Sequence, residues 1–196
     1  MGKVVVSQFI TLDGVVEDPG GSEHFERGGW AFRYDRGPDG DRFKLDELSV
    51  SNALLLGRVT FEGFAAAWPS RTGEFADKLN TMPKHVVSTT LADPGWANST
   101  VIRRDVPGAV RRLKQEIDGD ILVNGSVALV RTLLEHDLVD EYRLMVFPTV
   151  LGAGKRMFGD TPAPVGLRLV ESRPAAETLI LIFTPARDDD AAPPAA

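Results

Sequence analysis

Two stretches of this chain, LLLGRVTFE at 54–62 and ILVNGSVALVRTLL at 121–134, share one layout. A short aliphatic run stops at a glycine, and a helix-periodic segment follows at once. Aliphatic runs of this length suit strands buried on both faces. A buried strand that hands over directly to a helix belongs to a parallel α/β sheet, whose crossovers lie on its faces. Gly57 and Gly125 mark the junctions. Glycine there serves a tight turn, or it leaves the N–H groups of a helix start open to an anion.

The rest of the chain fits the same class. KVVVSQFITLDG reads as a strand ending at Asp13-Gly14, a turn dipeptide. Residues 17–41 are rich in glycine, proline and charge and read as a long loop. DRFKLDELSV, 41–50, makes a short helix with Phe43, Leu45 and Leu48 as its apolar positions. A second helix starts with Thr60 as N-cap and carries Phe61, Phe64 and Trp68 on one face. RTGEFADKLNTM is a third, closed by Pro83; KHVVSTTL and STVIRRD are strands. VPGAVRRLKQEI tolerates Pro107 in its first turn and has Val110, Leu113 and Ile117 as a core stripe. Ser126 suits the N-cap of the helix that follows Gly125. VDEYRLMVFP is a long strand, and VGLRLVESRP with ETLILIFTP reads as a terminal hairpin. Strand and helix alternate through the centre and strands are consecutive at the end. This predicts one α/β domain over 1–184, with a mainly parallel sheet and an antiparallel edge, and a disordered tail over 185–196.

Composition removes several classes. With 196 residues, 43% hydrophobic and 26% charged, the chain is an ordinary globular one. A formal net charge of -6 argues against nucleic acid or an anionic membrane as partner. No apolar run approaches a membrane span and no signal-peptide layout opens the chain, so a cytoplasmic location is expected. There is no cysteine, and His24, His85 and His136 show no ligand spacing, so no metal site is expected.

The segments LDG at 12–14, LLLGRVTFE, KHVVSTT and ILVNGSVALVRTLLEHDLVDEYRLMVFPTVLGAGKRMF, in that order over residues 3–183, resemble the dihydrofolate reductase superfamily. They are most similar to its branch related to the C-terminal reductase domain of bifunctional riboflavin-biosynthesis proteins. The resemblance implies a dihydrofolate-reductase-like three-layer α/β/α fold around a mixed, mostly parallel sheet. It also implies NADPH as cofactor and hydride transfer to a small heterocyclic substrate, a pyrimidine or pterin. By position, Gly57, Arg58, Val59 and Thr60 would lie along the cofactor phosphates. Ser88 and Thr89 would flank the adenosine end, and Asn124, Gly125, Ser126 and Val127 the nicotinamide and pyrophosphate. Asn124-Gly125 stands where the family has a glycine pair, and asparagine tolerates a left-handed conformation. Val127 stands where folate reductases often have arginine. That leaves a 2′-phosphate to Arg58 or to Arg103, Arg104, Arg111 and Arg112.

Folate reductases hold a buried carboxylate at the start of the helix before the glycine-arginine strand; Asp41 is nearest that position, with Asp46 and Glu47 as neighbours. A helix-start aspartate is also an ordinary cap. Phe25, Trp30 and Phe32, in the loop, would close over the substrate or cover the sheet edge. The implied activity is that of a 5-amino-6-(5-phosphoribosylamino)uracil reductase in riboflavin biosynthesis. A dihydrofolate-reductase activity and a non-catalytic nucleotide-binding role on the same fold are the alternatives. Without cysteine the chain supplies no thiolates for a zinc deaminase, so another chain would deaminate. A homodimer, paired through the VDEYRLMVFP strand and the terminal hairpin, is also implied.

Overall fold

The computed structural model describes residues 1–159 and 164–186. The expected tail lies outside them from residue 187 onward. The elements in chain order are β1 (Lys3–Thr11), α1 (Gly37–Ser49), β2 (Ser51–Gly57), α2 (Arg58–Ala67), α3 (Glu74–Thr81), β3 (Lys84–Val87), β4 (Ser99–Ile102), α4 (Val106–Glu116), β5 (Asp120–Asn124), α5 (Val127–Glu135), β6 (Glu141–Phe147), β7 (Leu167–Ala175) and β8 (Thr178–Pro185). A single turn of 3-10 helix, Trp30–Arg33, interrupts the long loop.

One eight-stranded sheet runs in the order β4-β3-β2-β5-β1-β6-β8-β7. Strands β1 to β6 pair with one another in parallel, while β8 is antiparallel to both β6 and β7. The expected mostly parallel sheet with an antiparallel C-terminal edge is what forms. The sheet is covered on both faces, which is why β1 and β2 read as continuous apolar runs. Val4, Val6, Ala53, Leu55, Ile121 and Val123 pack on one side against Leu129 and Leu133 of α5 and Val110 of α4. Val5, Leu54, Leu56 and Leu122 face the other side, with Leu48 of α1, Phe61 of α2 and Leu79 of α3. A third cluster, Trp30, Phe43, Met145, Phe147 and Ile180, closes the end toward the hairpin. Trp30 is fully buried and donates its indole N–H to the Glu17 carbonyl at 2.9 Å, so it covers the sheet rather than a substrate. Phe32 is exposed.

Several local expectations are corrected. α1 begins at Gly37, four residues before Asp41, because Pro38 favours the first turn of a helix. The cap of α2 is Gly57, and Thr60 is already inside the helix with its side chain buried. The left-handed residues at the second junction are Gly125 and Ser126, with φ of 67° and 59°, rather than Asn124. Ser126 does cap α5, its hydroxyl accepting from the Leu129 N–H at 3.3 Å. β6 has β1 on one side and β8 on the other, so it has no free edge through which to pair a second chain.

Candidate functional site

The two junctions meet. β2 and β5 are neighbours, with Leu55 opposite Val123, so Gly57 and the Asn124-Gly125-Ser126 turn emerge side by side. A Cβ on Gly57 would stand 2.1 Å from Ser126 Oγ, and one on Gly125 would stand 2.3 Å from Thr60 Oγ1. Each glycine thus makes room for a side chain of the other junction. The two crossovers lock together at the carboxyl ends of the strands, the edge where α/β proteins gather ligands. Two further ties hold the turn to β1: Asn124 Nδ2 donates to the Ser7 carbonyl at 3.1 Å, and Gln8 Nε2 to the Gly125 carbonyl at 3.3 Å.

Along this edge lie the residues singled out in the sequence. Among the described residues no side chain caps α2, and none occupies the N–H groups of its first turn, Arg58 to Thr60. Arg58 is half exposed and pairs with Glu62 at 2.8 Å, one turn on. Val59 beside it is an exposed apolar side chain. On the next strand Ser88 Oγ is taken up by its own turn, accepting from Thr90 N–H at 3.1 Å and Leu91 N–H at 2.9 Å, while Thr89 is exposed. Arg103 and Arg104 follow β4 at the same edge and are exposed; Arg111 and Arg112 lie on the exposed face of α4. On the far side of the turn, Val127 and Ala128 line a cleft of about 700 Å³ together with Arg131, Lys155, Arg156 and Phe158.

The long loop crosses this edge. The buried Asp18 carboxylate organises it, accepting from the N–H groups of Glu23 at 3.0 Å and Phe25 at 3.2 Å. At one end Ser22 approaches Gly63 of α2. At the other, Phe25 lies against Gly154, Arg27 donates to the Leu151 carbonyl, and Lys155 pairs with Glu17. Asp13 anchors the segment that the loop touches. It accepts from Thr11 Oγ1 at 2.7 Å and from the N–H groups of Leu151 and Gly152 at 3.2 and 2.8 Å. These donors, the Thr11 hydroxyl first, hold its carboxyl down to about 2. A depressed carboxyl stabilises the fold above its ordinary value of 3.8 and loses that contribution as pH falls through about 2. An Asp13→Asn variant should therefore melt roughly 2–5 °C below the parent at neutral pH. The gap should close between pH 4 and 2, as thermal melts across that range would record.

Asp41 is not the buried carboxylate. Its side chain is 66% exposed and pairs with Arg36 at the surface. The carboxylate that α1 buries is Glu47, 4% exposed, which accepts the Ser7 hydroxyl at 2.9 Å and pairs with Lys44. The sequence carries a signal for this in retrospect: Phe43, Glu47 and Leu48 fall on one face of a helix that starts at Gly37. Among the described residues no cluster of histidine and carboxylate has the geometry of a metal site, and no helix is long and apolar enough to cross a membrane.

A mixed sheet in this order, with two helix starts interlocked at its carboxyl edge and a loop laid across them, defines an α/β protein of the dihydrofolate-reductase-like class. Within that class, the chain belongs to the RibD C-terminal domain family, whose model matches residues 2–181. Among solved structures, a candidate riboflavin biosynthesis protein from Shewanella sp. PV-4 superposes with a TM-score of 0.75 at 19% identity, covering 94% of this chain and 99% of that one. The Thermotoga maritima diaminohydroxyphosphoribosylaminopyrimidine deaminase/5-amino-6-(5-phosphoribosylamino)uracil reductase gives 0.64 at 15% identity, covering 94% of this chain but 57% of that one. Dihydrofolate reductase from Enterococcus faecalis, complexed with NADP(H), gives 0.58 at 13% identity, covering 95% and 98%.

Proposed function

We propose that this chain is an NADPH-dependent reductase acting on a pyrimidine or pterin-like heterocycle, of the 5-amino-6-(5-phosphoribosylamino)uracil reductase type that serves riboflavin biosynthesis. The observation that carries the reading is the contact between the two glycine junctions on adjacent strands. It makes one continuous edge out of two helix starts. Family membership and the named activities of the structural relatives support it.

The residues fit a dinucleotide. The first-turn N–H groups of α2, which no side chain caps among the described residues, suit phosphate oxygens, and Arg58 adds a charged donor. Thr89 and Ser88 flank the next strand end, and Asn124, Gly125, Ser126 and Val127 form the turn on the other side. When bound, the reduced nicotinamide supplies the hydride. The chain orients the two reactants and, through the loop from Asp18 to Gly29, shields the edge from water. We also infer a cytoplasmic homodimer. Among the described residues the outer strand of the hairpin, β7, keeps a free sheet edge and exposes Leu169 and Val170.

Titration with NADPH, followed by nicotinamide fluorescence, tests the reading. Saturable binding that favours NADPH over NADH is expected. Arg58→Ala should weaken it about five- to tenfold, a modest loss because the arginine is half exposed and shared with Glu62. Absence of saturable binding would favour a protein that has kept the fold without the chemistry.

A further inference from the structure

We propose that the cleft between α5 and the segment after β6 binds a phosphoryl group on Arg131, Lys155 and Arg156, and that this occupant competes for Lys155 with the loop that crosses the sheet edge. The site is separate from the dinucleotide edge and does not depend on the reductase reading.

The cleft lies on the β6 side of α5. Its outer wall, Gly154 to Gly159, follows β6, whereas the start of α2, Ser88 and Arg103 stand at the ends of β2, β3 and β4. β5 and β1 lie between the two groups in the sheet, and Val127 is where they meet. The wall is held so that its side chains face outward. Arg156 bridges Val15, the Val16 N–H donates to the Lys155 carbonyl at 3.0 Å, and the Met157 N–H to the Gly14 carbonyl at 2.9 Å. Met157 is buried, so in this extended piece Arg156 and Phe158 turn away from the core. On the other wall the Arg131 guanidinium lies against Gly159, where a Cβ would stand 2.3 Å from its Nη2.

Three cations thus face a space of about 700 Å³, with no carboxylate among its described lining residues, in a chain of net charge -6. Like charges brought together repel, and an anion between them relieves that cost. Arg131 pairs with no carboxylate among the described residues. Arg156 gives its Nε–H to the Asp13 carbonyl at 2.9 Å, but its Nη2 stands 3.5 Å from a carboxylate that Thr11, Leu151 and Gly152 already hold. Both guanidinium groups therefore keep N–H donors to spare. A phosphoryl group, doubly charged and tetrahedral, accepts from several cations at once, while a flat carboxylate is matched by a single arginine. Phe158 is 39% exposed and backed by the Tyr142 ring at 5.9 Å, so it offers a face to a flat ring carrying that phosphate.

Lys155 connects the cleft to the loop. Its ammonium pairs with Glu17, and its N–H donates to the same carboxylate at 2.9 Å. Glu17 precedes Asp18, the residue that organises the loop. A phosphate in the cleft competes with Glu17 for the ammonium, so occupancy and the anchorage of the loop are linked in both directions.

Calorimetric titration at low ionic strength, with uridine 5′-monophosphate, inorganic phosphate and uridine as probes, tests the site. The parent should bind the nucleotide saturably and uridine at least about tenfold more weakly. Arg131→Gln changes an exposed side chain and should weaken the nucleotide about five- to tenfold, while Arg58→Ala should leave it unchanged. Glu17→Gln keeps an acceptor for the Lys155 N–H, removes the competing charge, and should tighten binding about two- to fivefold. Inorganic phosphate as tight as the nucleotide assigns the cleft to the free anion, and weaker phosphate assigns it to a phosphorylated ring compound; either result supports the phosphoryl site. Uridine as tight as the nucleotide, or no saturable binding, overturns it. So does a loss in Arg58→Ala with none in Arg131→Gln, which would put the phosphate on the dinucleotide edge and leave the reductase reading standing. Unchanged affinity in Glu17→Gln overturns the link to the loop.

Discussion

Gly125→Val should unfold this protein, or bring it close, whether or not any ligand is present. Two penalties act together. The residue has φ of 67°, a region that a β-branched side chain adopts only under strain. Its Cβ would also stand 2.3 Å from Thr60 Oγ1 and 2.8 Å from Thr60 Cγ2, in a packed interior. Together these cost about 3–5 kcal/mol, a large part of the stability of an ordinary domain. Urea or thermal melts would read it directly. In Gly125→Ala, a second change of Thr60→Ala removes the two shortest contacts and leaves one at 3.1 Å. It should return the packing part of the loss but not the backbone part. A Gly125→Val protein with the parent's melting temperature would mean the junctions do not interlock. Because folding depends on this glycine, its substitution cannot by itself test for a cofactor, which is why Arg58 carries that test.

Lys84→Met should cost about 2–4 kcal/mol, or roughly 5–15 °C in melting temperature. Lys84 opens β3, has no exposed surface and, among the described residues, has no carboxylate partner. Its ammonium donates instead to the carbonyls of Asn80 at 3.0 Å, Met82 at 2.9 Å and Ala97 at 3.1 Å, and lies 4.3 Å from the centre of the Trp96 ring. Two of those carbonyls belong to the end of α3, so the cation sits on the negative end of a helix. Burial pushes the ammonium down to about 8, while in the unfolded chain it titrates near 10.5. Between these values the unfolded state holds more protons than the folded one, so stability rises with pH. The gap between parent and Lys84→Met should therefore widen from pH 8 to 10.5. A gap that stays flat over that window would show the lysine to be solvated.

These two residues mark the limits of sequence reading here. The glycine junctions were legible because the signals for strand, turn and helix start lie within about ten residues of each other. Ser126 as a cap, Pro107 in a first turn and the terminal hairpin are local in the same sense. Lys84 read only as part of a strand, because its three acceptors come from a helix end and a loop that the sequence does not place beside it. The carboxylate carried over from the family by its distance from Gly57 fell on Asp41, which lies at the surface, while the carboxylate that α1 buries is Glu47.

By itself the chain specified its strands and most of its helices, the mainly parallel sheet with a reversed hairpin at its end, and the two glycine turns, since backbone chemistry and hydrophobic period act over short range. Tertiary structure alone decided that those turns touch, through Thr60 against Gly125 and Ser126 against Gly57, and that Lys44 reaches Ser7 from 37 residues away. The reason is the strand order: β5 inserts between β2 and β1, and nothing local in any of the three segments encodes which neighbour it will have.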